Sequence, residues 1–106
     1  MSYYDLYGFS GSNLSEAREL LESILNIVFC ERDSTYHGGV YYLSGDKKYE
    51  HFILKENIDL FDNEPDEIDY PEYNYLLYIN GTSRSSELKH EILNSNKFIL
   101  LRSENI

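Results

Sequence analysis

Apolar residues change their spacing several times along this chain, and each change marks an element. Tyr3–Phe9 mixes aromatics with Asp5 and Leu6 and then meets Gly11-Ser12-Asn13, which predicts a strand and its exit turn. Leu14, Ala17, Leu21, Ile24 and Val28 fall on one face at 3.6-residue spacing, while Glu16, Arg18, Glu19, Glu22 and Ser23 occupy the rest, so a helix is predicted over residues 14–26. Asn13 is its predicted cap, with Glu16 as the reciprocal half of a capping box. From Ile27 the pattern shortens to β-branched and aromatic runs at residues 27–30, 40–43 and 49–54. Gly38-Gly39 and the polar stretch 44–48 punctuate them, which predicts consecutive antiparallel strands. Further on, residues 73–80 read as a strand, Asn80-Gly81 as a turn, residues 86–93 as a helix burying Leu88, Ile92 and Leu93, and residues 98–101 as a closing strand.

A helix that is apolar on one side must cover a sheet. The expected fold is therefore α+β, a two-layer sandwich of about six mainly antiparallel strands with two helices in the order β-α-β-β-β-β-α-β. The 106 residues suffice for one core, so residues 1–106 are read as a single domain. Consecutive apolar positions such as Leu76-Leu77-Tyr78-Ile79 imply that the second face of the sheet is either partly covered or an exposed tyrosine-rich surface.

Charge adds what periodicity cannot. Nineteen acids against nine bases give a net charge of −10, which repels phosphate backbones and anionic membranes, so direct nucleic-acid and membrane ligands are not expected. The charge is also concentrated: Glu56, Asp59, Asp62, Glu64, Asp66, Glu67, Asp69 and Glu72 lie in one connection without a Lys or Arg, and Pro65 and Pro71 keep it irregular. Eleven tyrosines accompany it, with Tyr70, Tyr73, Tyr75 and Tyr78 beside the acidic run. Tyrosine tolerates water when free and is desolvated cheaply when bound, which suits an interface; the plainer reading of about half of these tyrosines is half-buried sheet.

Catalytic signals are weak. Cys30, the lone cysteine, can form no internal disulfide, fits a reducing cytoplasm, and reads as an inert, partly buried thiol within a strand. His37, His51 and His90 lack metal-ligand spacing, so neither a metal nor a cofactor is expected. From Asp59, the places of an EF-hand loop that need ligands or glycine hold Phe61, Asn63, Glu64 and Tyr70, so the calcium pattern fails. A Pro-broken loop is poor support for a glycosidase-like carboxylate pair. The longest apolar run, Tyr75 to Ile79, is too short for a membrane span or a secretory leader, so the Asn80-Gly81-Thr82 sequon reads as a turn. An enzyme is not expected.

Five stretches resemble a family of small cytoplasmic immunity proteins that accompany bacterial contact-dependent growth inhibition and related polymorphic toxins. They are Tyr-Asp-Leu-Tyr-Gly-Phe-Ser-Gly at 4–11, Glu-Ala-Arg-Glu-Leu-Leu-Glu at 16–22, the run from Cys30 through Tyr36-His37-Gly38-Gly39 to Tyr42, His51-Phe52-Ile53-Leu54, and Tyr75-Leu76-Leu77-Tyr78-Ile79-Asn80. The resemblance spans most of the chain and implies a non-enzymatic α+β domain that binds the C-terminal toxin domain delivered by a neighbouring cell, often a nuclease. Contact residues are chosen on physical grounds alone. A nuclease is basic around its substrate groove, so Asp59, Asp62, Glu64, Asp66, Glu67, Asp69 and Glu72 are expected to face it, with Tyr70 and Tyr73 as central anchors. The alternative is an acidic adaptor or nucleic-acid mimic acting on a host DNA-binding protein; clustering of the carboxylates, rather than their spread over the surface, favours the toxin inhibitor.

Overall fold

The computed structural model describes residues 2–106, Tyr36 by its backbone alone. Its elements run β1 (Tyr3–Phe9), α1 (Leu14–Leu25), β2 (Cys30–Ser34), β3 (Gly39–Gly45), β4 (His51–Glu56), β5 (Tyr75–Thr82), α2 (Ser85–Leu93) and β6 (Phe98–Asn105), with a 3-10 turn at Thr35–His37. This is the expected element order. The strands form one six-stranded sheet in the order β2-β3-β4-β5-β1-β6, every neighbouring pair antiparallel. Strands β2 to β5 form a meander; β1 returns to pair with β5 and carries β6 on its outer side.

Both helices cover one face. Tyr7 and Phe9 of β1, Phe52 and Leu54 of β4, Leu77 and Ile79 of β5 and Phe98 of β6 meet Ala17, Leu21 and Leu25 of α1 and Leu88 and Ile92 of α2 in one buried cluster. Phe9 and Phe98 meet at 4.8 Å between ring centroids, their planes tilted by 43°. The Asn13 side chain caps α1 by accepting from the Glu16 amide at 2.8 Å, and the Glu16 carboxylate reaches back to the Ser12 amide at 2.7 Å. The box thus closes one residue earlier than its usual form. Beneath the start of α2, buried Asp5 accepts from the hydroxyls of Ser85 and Ser103, tying β1, α2 and β6 together near the positive end of the helix dipole.

Several boundaries differ from the sequence expectation. The helix stops at Leu25 because Asn26 turns left-handed at φ 55°, so its buried stripe is Ala17, Leu21 and Leu25, with Leu14 and Ile24 at its margin. Val28 lies beyond the helix and is 76% exposed. Residues 27–29 are not a strand; Phe29 plugs the core while its amide donates to Glu22, and the ladder runs instead through the polar Cys30–Ser34 at the open edge. Charge on a short edge strand deters pairing with other chains, which apolar patterning does not anticipate. Cys30 is accordingly exposed, not partly buried. Strands β4 and β5 begin two residues later than expected, and β6 continues to Asn105. Asn80-Gly81 is no turn: the β1–β5 register passes from Tyr3↔Thr82 to Tyr4↔Asn80, leaving Gly81 as a bulge at φ 68° within β5.

The packing predicts that Leu21→Ala costs about 2–5 kcal/mol in urea unfolding, whereas Val28→Ala changes stability by less than about 0.5 kcal/mol. A second expectation concerns acid. Glu50 accepts from Arg84 Nε at 2.9 Å, Arg84 Nη2 at 2.7 Å and Thr82 Oγ1 at 2.7 Å. The Arg84 hydrogen bonds hold its carboxyl below the usual range, against the opposing effect of burial. A depressed carboxyl stabilises the fold above its ordinary value of 4.5 and loses that contribution as the pH falls through its folded value. Glu50→Gln should therefore be less stable than the parent at pH 7, and in pH-dependent thermal unfolding the gap should narrow as the pH drops below about 4.5.

Candidate functional site

Alternation along β4 and β5 sends Phe52, Leu54, Leu77 and Ile79 to the helices and leaves Ile53, Lys55, Leu76 and Tyr78 on the opposite face of the sheet. Leu6, Tyr41, Ile53 and Leu76 are all buried yet stand outside the helix-covered cluster. The acidic connection lies over this face, tied to it at Lys55, Tyr78, Leu101 and Gly8. Residues 57–74 form a strap lying across this second face.

Asn57 sets the stem of the strap. Its amide nitrogen donates to the carbonyls of Tyr70 and Tyr73, each at 2.9 Å, its side-chain oxygen accepts from the Glu67 amide at 2.9 Å, and its backbone N–H donates to Asn74 at 2.8 Å. A tight turn closes the tip, where Asp59 and Glu64 bridge and Asn63 adopts φ 61°. The Asp59 and Asp62 carboxylates accept from the amides of Phe61 and Glu64, fixing the tip locally. Ile58 packs against Gly38, where φ is 80° and a side chain would be strained and crowded by the strap.

Polar latches hold the body of the strap to the sheet. Lys55, only 1% exposed, pairs its ammonium with Asp66. Glu67 accepts from the Tyr78 phenol at 2.5 Å and from Arg102 at 3.1 Å. Burial first, and the Glu67 carboxylate second, push the Tyr78 phenol far up, so it remains a donor at every physiological pH. The Tyr70 hydroxyl donates to the Leu101 carbonyl at 2.9 Å. Tyr73 lays its ring on Gly8, where a Cβ would fall 2.6 Å from ring carbons; glycine at this point of β1 makes room for the ring.

The nine residues expected to meet a partner thus divide. Asp66, Glu67, Tyr70 and Tyr73 are engaged with the protein's own sheet. Asp62, Glu64, Asp69 and Glu72 are exposed, Asp59 is half-buried at the tip, and none of these five carboxylates pairs with a base among the described residues. Between them the strap exposes Leu60 (47%), Phe61 (71%) and Ile68 (76%), apolar residues that charge counting passes over. Tyr78 stands out in the sequence only as one of the tyrosines beside the acidic run, and Lys55, Asn57 and Arg102 are not anticipated there. Of these three Lys55 alone carries a signal, since alternate positions of an apolar strand place it beside Ile53 on a face that, once covered, demands a counter-ion.

The histidines are dispersed over the 3-10 turn, β4 and α2, and among the described residues no three His, Cys, Asp or Glu side chains converge as a metal would require. Among the same residues no helix is long and apolar enough to cross a membrane.

Removing one side of the principal latch should be costly. Asp66→Ala leaves a buried, unpaired ammonium and is expected to lower stability by about 3 kcal/mol. Adding Lys55→Met should restore most of that loss, as measured by urea unfolding of both variants, because the second change removes the charge left unpaired.

No protein-family model matches the chain, and no curated protein matches it at a significant level.

Proposed function

We propose that the protein is an immunity protein that binds a basic toxin domain, a nuclease in the simplest case, and acts in the cytoplasm by occupying the groove where phosphates would lie. The observation carrying this reading is the exposed part of the strap, where Leu60, Phe61 and Ile68 lie among Asp62, Glu64, Asp69 and Glu72, none of which pairs with a base among the described residues. Carboxylates at the rim steer a basic partner toward the strap and tolerate water until it arrives. Apolar groups among them supply area whose removal from water favours the complex. The internal latches add a third element: a strap already fixed on the sheet loses less conformational entropy on binding than a free loop of the same length. Inhibition on this reading is steric and electrostatic and involves no chemistry on the toxin.

The test is the association rate with a cognate toxin domain. Neutralising the exposed set together, Asp62→Asn, Glu64→Gln, Asp69→Asn and Glu72→Gln, leaves the latches untouched. It should slow association roughly tenfold or more at low salt and flatten the salt dependence, since screening acts over about 10 Å at 0.1 M. Dissociation should change much less. An unchanged rate with an unchanged salt slope would reduce the strap to a solubility feature.

A further inference from the structure

The strap covers only part of the second sheet face. Between its Asp66 segment and the 3-10 turn lies a cavity of about 260 Å³, walled by His37, Ile53, Lys55, Asp66, Tyr78 and Asn80. Its chemistry follows from the groups that line it. Asp66 gives Oδ2 to Lys55 and leaves Oδ1 without a protein donor among the described residues. Asn80 offers a second oxygen by elimination: with a neutral ring, His51 donates from Nδ1 to the Tyr49 carbonyl 3.0 Å away, which leaves Nε2 as an acceptor. The Asn80 group 3.3 Å from it is therefore the amide nitrogen, and the Asn80 oxygen is the group's other edge.

Apart from the Lys55–Asp66 pair the walls are uncharged, and two of them are aromatic. Tyr78 commits its hydroxyl to Glu67, leaving its ring to the cavity. His37 meets Tyr41 at 4.4 Å between centroids with the ring planes tilted by 46°, and burial, reinforced by Lys55 and Lys47 against the opposing effect of Asp66, lowers its pKa, so the imidazole is neutral at pH 7. Ile53 supplies an apolar side to the same space. The one cation at the cavity, Lys55, is enclosed and already matched by the carboxylate it shares with the site.

Two acceptor oxygens beside two neutral aromatic faces, in a protein of net charge −10, suit a planar cation better than an anion or a compact ammonium. A guanidinium presents donors in its plane and a flat face to rings, and its weak hydration lets it enter a partly enclosed space. We propose that this cavity receives one arginine side chain of the partner, its guanidinium held between Asp66 and Asn80 and lying against Tyr78 and His37. The inference rests on the immunity reading in taking the partner to be a basic protein, and it deepens that reading by assigning the complex a specific anchor beside the steering surface. Arginine is among the residues that dominate interfaces when seated in such pockets.

The experiment uses the intact chain and no toxin. Nα-acetyl-arginine amide, Nα-acetyl-lysine amide and Nα-acetyl-glutamate amide are titrated separately while the NMR signals of His37, Ile53 and Asn80 are followed. The arginine probe should shift these signals saturably and bind about tenfold more tightly than the lysine probe, and the glutamate probe should leave them in place. Asn80→Leu, which keeps the branched shape and removes the acceptor together with the amide nitrogen that meets His51, should weaken the arginine probe by about tenfold. No saturable shift with arginine, equal response to glutamate, or shifts confined to the strap tip would each overturn the proposal. Should Asn80→Leu fail to fold, the three-probe comparison on the unmodified chain decides alone. A failed titration alongside charge-dependent association would remove the pocket and keep the immunity reading; a saturable arginine response with charge-independent association would do the reverse.

Discussion

A lysine ammonium cannot be placed under a polypeptide segment unless its charge is met there, because the loss of hydration costs several kcal/mol even after relaxation. Lys55 is so placed, and Asp66 meets it. The pair explains why the most acidic connection of the chain lies on the sheet instead of extending into water. Around it the other contacts become intelligible: Glu67 sits between Tyr78 and Arg102, Asn57 ties both limbs of the strap, and Tyr73 rests where β1 has no side chain. The sheet is thereby covered on both faces by different physics. Helices exclude water from one face by apolar packing, and a largely polar strap does so on the other by matched hydrogen bonds and ion pairs.

The same arrangement sorts the carboxylates by task. Those at Asp66 and Glu67 are neutralised within the protein and contribute little to the far field, while those at Asp62, Glu64, Asp69 and Glu72 keep their charge toward solvent. Crowded like charges repel, which would favour an extended, mobile segment were the strap not clamped at its stem and body. The internal pairs therefore hold the free carboxylates at a separation that the loop would not adopt unaided.

Much of the architecture is legible in the sequence. The element order, the antiparallel meander and the capping of α1 by Asn13 follow from periodicity and local hydrogen-bonding chemistry, which operate over a few residues. What escaped were features decided by tertiary position. Cys30–Ser34 is a strand because β3 offers it an edge, not because its side chains are apolar. Asn80-Gly81 continues a strand because β1 pairs on both sides of the bulge. In the acidic segment the charge was visible, but its division between latch and free surface was not, since it depends on Lys55, Tyr78 and Arg102 arriving from three different strands. Tyr70 and Tyr73 show the same limit: composition marks them as interface-like, and the interface they fill lies within the chain.

The stem of the strap, where the Asn57 amide meets the Asn74 carbonyl, separates two inheritances. Register in β4 and β5 is set by their pairing with each other and with β3 and β1, and the strap leaves and re-enters that ladder at adjacent points. Lengthening a closed loop costs only about 0.6 kcal/mol per doubling. Residues 59–64 can consequently be rewritten in length and charge without disturbing the ladder beneath, provided Asn57 and the Lys55 pairing are kept. The fold thus behaves as a fixed chassis with an exchangeable head, so that recognition can diversify while folding stays constant.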